Sequence, residues 1–245
     1  MPAFFIDSRD IHNGVITIAG DLLHHLRASL RLRLNETLHL TDDHRRRHHA
    51  TVTNLTGERL TARIISSADG PDRLSPTLIL GQALLKGDHM DWIVQKAAEF
   101  GVETIVPLVT RRSVVRPRRS RVESQTARWQ RIAREAAQQS EQWHVPSVQA
   151  PWELREFFGH SKAATRLILV ERMQGRKLAA ITLPAGPATS VVVVVGPEGG
   201  WHAEEIAMAK ELAFEPITLG ATILRSETAS LAALAILQSR LGLLG

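Results

Sequence analysis

Five consecutive β-branched residues, Val191 to Val195, run without a break into Gly196-Pro197-Glu198-Gly199-Gly200. A run with no polar alternation predicts a strand buried on both faces, as in a parallel sheet covered by helices. The turn after it carries glycines, which take positive φ readily and let backbone approach a ligand closely. A second glycine-marked exit follows: Leu219-Gly220-Ala221-Thr222-Ile223-Leu224-Arg225-Ser226-Glu227-Thr228-Ala229. Ligands of open α/β sheets sit where loops leave the carboxyl ends of strands. If the two strands are parallel neighbours, their loops line one cleft of backbone donors and acceptors suited to a small cofactor. Taken singly, each feature has a plainer account. The glycines would make a tight strand exit, and Arg225 and Glu227 a surface ion pair with an acid near a helix start. The pairing of the two loops is what favours a cleft.

The rest of the chain divides in two. Residues 1–70 hold short strand signals, Val15 to Ala19, Thr37 to Thr41, Ala50 to Asn54 and Leu60 to Ile65, with one helix from Asp21 to Arg31. They predict a small β-rich barrel or sandwich. Ser66 to Asp72 mixes turn formers without apolar periodicity and is read as the seam. Over 71–245 strands alternate with helices, which predicts an α/β fold with a mostly parallel sheet covered on both faces. The strands are expected at Leu78 to Leu84, Thr104 to Val109, Leu167 to Glu171, Val191 to Val195 and Ile217 to Leu219. The helices are expected from a cap at Asp88 to Gly101, then at Arg121 to Ser140, Ala203 to Leu212 and Ala229 to Leu241.

Several chemistries are excluded. There is no cysteine, so disulfides, thiolate zinc sites and cysteine nucleophiles are absent. No G-x-G-x-x-G follows a strand, and Walker, G-x-S-x-G and H-E-x-x-H motifs are missing. The amino terminus lacks a basic, apolar leader and no segment is apolar for long enough to span a bilayer, so a soluble, cytoplasmic protein is expected. A formal charge of +5 allows a polyanionic partner. Two basic runs stand out: Arg111, Arg112, Arg116, Arg118, Arg119 and Arg121 around Pro117, and His44-Arg45-Arg46-Arg47-His48-His49. A solvated face is the plain account of each and phosphate contact the functional one. The second run is read as an exposed hairpin loop whose histidines have no carboxylate partner, and no metal site is expected. His24 and His25 are read as packing residues, and the scattered tryptophans 92, 129, 143, 152 and 201 as core or interface.

The chain resembles the small-subunit ribosomal RNA methyltransferase E family of the SPOUT, or trefoil-knotted, methyltransferases. The resemblance rests on Lys86-Gly87-Asp88-His89-Met90-Asp91, Gln95 to Val102, Pro107, Arg112-Ser113, Gln139-Ser140, Pro146, Gly196 to Gly200 and Leu224 to Ala229. It reaches the amino-terminal region through Phe4-Phe5 and His25-Leu26-Arg27 to Leu30-Arg31, and so covers nearly the whole chain. It implies a PUA-like RNA-binding β-barrel over 1–70 and a SPOUT domain with a carboxy-terminal knot over 71–245. It also implies a homodimer acting on 16S ribosomal RNA of the small subunit, which methylates N3 of one uridine with S-adenosylmethionine. By the same resemblance the cofactor is expected between the loops after Val170, Val195 and Leu219. The contacts implied for it are Val170, Glu171, Gly196, Pro197, Glu198, Gly199, Gly200, Leu219, Gly220, Ile223, Leu224 and Arg225. RNA contacts are implied at Arg27, Arg31, Arg45, Arg46, Arg47, Lys86, Arg112, Arg116, Arg118 and Arg119.

The chain departs from its relatives at two places. Gln138-Gln139-Ser140-Glu141-Gln142 stands where they commonly have Glu-Gln-Ser-Gly-Arg, and Arg111 where they often have an acid. Uridine N3 becomes nucleophilic only on losing its proton. Arg225 is therefore expected beside the uracil carbonyls, stabilising the anion, with Glu227 or Glu198 as proton acceptor or as the group that holds Arg225. A non-catalytic RNA-binding protein on the same fold, and an unrelated α/β enzyme acting on a small acidic metabolite, are the alternatives.

Overall fold

The computed structural model describes residues 3–30, 32–71, 76–117, 119–171, 175–186 and 189–244, the side chains of residues 29 and 30 aside. The chain forms two units, Met1–Asp72 with Ala137–Val145, and Arg73–Ala136 with Pro146–Gly245. Among the described residues no helix is long and apolar enough to cross a membrane.

Alternation builds the first unit. Strands β1 (Phe4–Phe5), β2 (Ile11–His12), β3 (Val15–Ala19), β4 (Thr37–Thr41), β5 (Arg46–Leu55) and β6 (Arg59–Asp69) form a six-stranded sheet in the order β1-β4-β5-β6-β3-β2. Inward positions such as Ile16, Ile18, Leu38, Leu40, Val52 and Leu60 make its core, and helix α1 (Gly20–Leu30) adds Leu23 and Leu26.

Two expectations need correction here. The seam read over Ser66 to Asp72 is narrower than expected: Ser66 to Asp69 are the end of β6, paired with Arg46 to His49 of β5, and the division between the units falls after Asp72. The side chains of this strand end are exposed and its cross-strand contacts, Ser67 with His48 and Asp69 with Arg46, are polar, so it leaves no apolar period to read. His48, in turn, is not in an exposed loop. It is buried in β5, with Nε2 3.1 Å from Asp42 Oδ2 and Nδ1 2.8 Å from Ser67 Oγ. Its carboxylate partner lies six residues back, where a β-turn returns the chain.

The segment 137–145 belongs to this unit. Arg47 lies 4.0 Å above the Trp143 ring and donates to Glu141 O at 2.9 Å. Gly70 leaves room for the same indole, since a Cβ there would lie 3.0 Å from it.

The second unit is built from β7 (Thr77–Ala83), α2 (His89–Glu99), β8 (Thr104–Val109), α3 (Val122–Gln139, whose end joins the first unit), β9 (Ser147–Val148), β10 (Trp152–Glu153), α4 (Leu154–His160), β11 (Thr165–Leu169), β12 (Arg176–Lys177), β13 (Ser190–Val195), α5 (Ala203–Glu211), β14 (Glu215–Thr218) and α6 (Ser226–Arg240). The sheet runs β10-β8-β7-β13-β11-β14-β12 with β9 beside β8, and its pairings are parallel. Val191, Val193 and Val195 enter one apolar cluster with α2, α3 and α6, while Val192 and Val194 enter another with α4 and α5. The uninterrupted valine run thus reflects two buried faces.

Three details differ from expectation. β13 and β14 are not neighbours, because β11 lies between them and pairs with both. Asp88 stands at the N-cap of α2 without a side-chain capping bond. α6 begins at Ser226 rather than Ala229, which places Glu227 inside its first turn and Arg225 at its N-cap.

Candidate active site

The loops after β11, β13 and β14 leave the same end of the sheet and, with the first turn of α6, enclose a cavity of about 410 Å³. That lies within the ~300–1,000 Å³ of small-molecule sites. Because β11 is central, Val170 and Glu171 form the middle of the site, flanked by the 196–201 loop and the 219–225 loop.

The glycine turn is shaped by its neighbours. Gly200 N donates to Pro197 O at 2.9 Å, and Gly200 takes a φ of +68°. A Cβ at Gly200 would stand 2.6 Å from Glu171 Oε1, so the absent side chain is what lets the carboxylate lie against the turn. Trp201, almost buried, donates from Nε1 to Leu169 O at 2.7 Å and ties the exits of β11 and β13 together. Its ring occupies the space beside Gly196, where a Cβ would lie 3.0 Å away. The outer side of the turn is held by Arg112, whose Nη1 donates to Gly199 O at 2.8 Å, and by Lys86 N, which donates to Glu198 Oε1 at 3.2 Å.

Across the cavity, buried Thr218 donates from Oγ1 to Gly220 O at 3.1 Å and accepts from Gly220 N at 3.3 Å. Ile223 and Leu224 form an exposed apolar rim. Arg225 follows, its guanidinium exposed and without a hydrogen-bond or ion-pair partner among the described residues. Glu227 is mostly buried, with Oε1 3.6 Å from His89 Nδ1, and its place in the first turn of α6 suits a negative charge. The cavity therefore combines apolar walls at Leu169, Val195 and Ala229 with three lining carboxylates, Glu171, Glu198 and Glu227, and one uncommitted cation.

The model of the RNA methyltransferase domain matches residues 73–238, most of the second unit. The ribosomal RNA small subunit methyltransferase E of Synechocystis is 32% identical over 92% of this chain and 73% of its own length. The chain belongs to the ribosomal RNA small subunit methyltransferase E family. The Bacillus subtilis member is 25% identical over 93% of this chain and 91% of its own. The crystal structure of the Neisseria gonorrhoeae member, bound to S-adenosyl methionine, superimposes with a TM-score of 0.86 at 34% identity, covering 98% of both chains. The parallel sheet is of the kind found in SPOUT methyltransferases, and as a member of this family the chain is an RNA methyltransferase.

The residues implied for the cofactor gather at the cavity. Val170, Glu171, Gly196, Pro197, Glu198, Gly200, Leu219, Ile223, Leu224 and Arg225 line it. Gly199 and Gly220 do not: Gly199 faces Arg112, and Gly220 serves the turn at Thr218. Sequence reading missed His89, Trp201, Thr218, Thr222 and Ser226, which also line it. Each adjoins or lies within a quoted motif, so proximity to the glycine turns was the available signal.

The arginines implied for RNA are used in different ways. Arg27 donates to Thr56 O at 2.5 Å and Gly57 O at 3.4 Å, Arg46 pairs with Asp69 at 2.8 Å, and Arg47 is stacked on Trp143. Arg45 sits in the β4–β5 turn at φ +64°. Lys86, Arg116 and Arg119 are exposed. Arg112 is committed to Gly199, and Arg31 and Arg118 lie outside the described residues. Arg111, the departure from relatives, pairs with Glu204, and its backbone N–H donates to buried Glu205 at 2.9 Å. Among the described residues no group of three or more His, Asp or Glu side chains could hold a metal ion.

Proposed function

We propose that this chain methylates N3 of a uridine in the 16S RNA of the small ribosomal subunit, using S-adenosylmethionine. The observation that carries the reading is Arg225, an uncommitted guanidinium on the wall of the cavity, one residue from the helix turn that bears Glu227. The cavity fits the cofactor chemically. Its apolar walls suit an adenine, the backbone groups of the three loops suit adenine nitrogens and ribose hydroxyls, and Glu171 and Glu227 suit a ligand carrying positive charge.

Bound there, S-adenosylmethionine supplies an electrophilic methyl group. The chain's residues then have to align the base and manage one proton. Glu227 or Glu198 accepts the N3 proton. Arg225 stabilises the charge spread over the two uracil carbonyl oxygens. N3, once deprotonated, would carry the electron pair that takes up the methyl group supplied by a cofactor held at Val170, Glu171 and the glycine turn.

In the same reading α6 is the knotted segment. What supports this is that Arg240 near its end donates to Leu178 O at 2.7 Å and to Ile181 O, so the 178–181 stretch is held against the end of the helix. The six-stranded sheet acts as a PUA-like RNA-binding module, and exposed Trp92, Ile223 and Leu224 serve a second copy in a homodimer.

The test is methyl transfer from labelled S-adenosylmethionine to small subunits lacking their native modifications, followed by nucleoside analysis. The expected product is 3-methyluridine. Arg225→Ala is expected to lower kcat by about 10²–10³-fold, the scale of losing one charge-stabilising donor, with cofactor Kd largely unchanged. Loss of both together would reassign Arg225 to cofactor binding, and transfer to a different atom would refute the N3 assignment.

A further inference from the structure

After Thr77, strand β7 carries no polar side chain until Gln82, which is completely buried. An amide withdrawn from water is tolerated where its donors and acceptor are matched. Nε2 donates to Ala83 O at 3.0 Å and to Ser226 Oγ at 3.1 Å, and Oε1 accepts from Ser230 Oγ at 2.5 Å. Ser226 Oγ in turn donates to Gly196 O at 2.5 Å. The direction of this chain of bonds is fixed. Ala83 O only accepts, so the nitrogen end of the amide must face it, and turning the amide over would set oxygen against oxygen. Ser226, having accepted from Gln82, has one proton to give, and Gly196 O takes it.

The two ends of the relay belong to different walls of the cavity. Gly196 opens the glycine turn, and Ser226 is the first residue of α6, between Arg225 and Glu227. Gln82 stands behind the walls and does not line the cavity. We infer that Gln82 is a positioning residue for methyl transfer: through the Ser226 hydroxyl, its amide sets the register between the glycine turn that faces the cofactor and the helix start that carries Arg225 and Glu227. The inference rests on the roles given above to those two residues. A displacement of about 1 Å in such a constellation is enough to lower a rate ~10²-fold.

Methionine fills similar space without directing a hydroxyl. In Gln82→Met both serines keep acceptors, Ser226 O for Ser230 at 3.0 Å and Gly196 O for Ser226, so no buried hydroxyl is stranded and the fold persists. The experiment compares Gln82→Met, Ser226→Ala, the double variant and Ser226→Thr by kcat, by KM for S-adenosylmethionine and by amide hydrogen exchange. Gln82→Met is expected to lower kcat by about 10- to 100-fold with KM within about threefold. Exchange is expected to speed up at Gly200 and Ala229, whose bonds to Pro197 O and Arg225 O report the two walls, while the central strands are unchanged. Ser226→Ala should lose as much, the double variant no more than Ser226→Ala because the two act as a unit, and Ser226→Thr should retain most of the rate. Parental kcat and exchange in Gln82→Met, or losses that multiply in the double variant, would overturn the inference. If the parent itself transfers no methyl group to small-subunit RNA, the functional reading fails separately. Exchange at Gly200 and Ala229 still decides the relay then: faster supports it, unchanged refutes it.

Discussion

Replacing Gly200 by alanine tests how the glycine turn is held. At φ +68° an L-residue carries left-handed strain of about 1–2 kcal/mol. The new methyl would also stand 2.6 Å from Glu171 Oε1, but that atom ends a flexible side chain, which rotates away at small cost. The strain therefore has two outlets. If the turn keeps its shape, the folded protein is destabilised by about 1–2 kcal/mol. If the turn relaxes, the bond from Gly200 N to Pro197 O opens and stability is spared. The bound state must then restore the turn, so the same energy appears as a ~5- to 30-fold weaker cofactor Kd, at about 1.4 kcal/mol per tenfold. Urea denaturation of the free protein and calorimetric titration with S-adenosylmethionine, taken together, should sum to about 1–2 kcal/mol. Gly200→Ala made in a Glu171→Ala background lacks the contact but keeps the φ strain, so the sum measured relative to Glu171→Ala should persist. A sum within about 0.3 kcal/mol of zero, or full recovery in the double variant, would refute the argument.

Three further outcomes are expected. Arg47→Ala removes the stacking on Trp143 and the bond to Glu141 O, worth together about 1–2.5 kcal/mol, and should lower the urea midpoint while changing the near-ultraviolet circular dichroism of Trp143. Burial first, and then the neighbouring His49, hold the His39 imidazole below its ordinary pKa of 6.5. The unfolded chain therefore takes up that proton first, so stability is full above pH 6.5 and is lost as pH falls through the lowered value, a slope that His39→Gln should flatten in urea midpoints measured across pH. Arg116→Ala and Arg119→Ala, if those exposed side chains meet phosphates, should each reduce the slope of log affinity for RNA against log salt by about 0.7 to 0.9; unchanged slopes would make them solvated surface.

How much of this was legible follows from where side chains meet apolar neighbours. Val191 to Val195 announced their strand because both faces are packed. α6 was read three residues late because its first turn faces the cavity and a buried polar cluster, so the residues that begin it are Ser226, Glu227 and Thr228. Gln82 and His48 were invisible for a related reason. Each is a polar residue made tolerable by partners distant in sequence or brought back by a turn, Ser226 and Ser230 for one, Asp42 and Ser67 for the other. The short strands β9, β10 and β12 are two residues long and carry no period. The cavity was placed by its glycine turns, but the insertion of β11 between β13 and β14 is a matter of chain path and left no local mark.

The return of 137–145 to the first unit changes how the protein can be made and divided. A fragment ending near residue 72 lacks the partner of Arg47, which lies 94 residues further along. During synthesis the sheet of β1 to β6 can form early, yet its surface is finished only when Trp143 has left the ribosome, after β7, α2, β8 and all of α3 have been made. A cut for separate expression therefore has no clean position in the sequence. A circularly permuted gene that opens the chain elsewhere would preserve what truncation at the apparent domain boundary destroys.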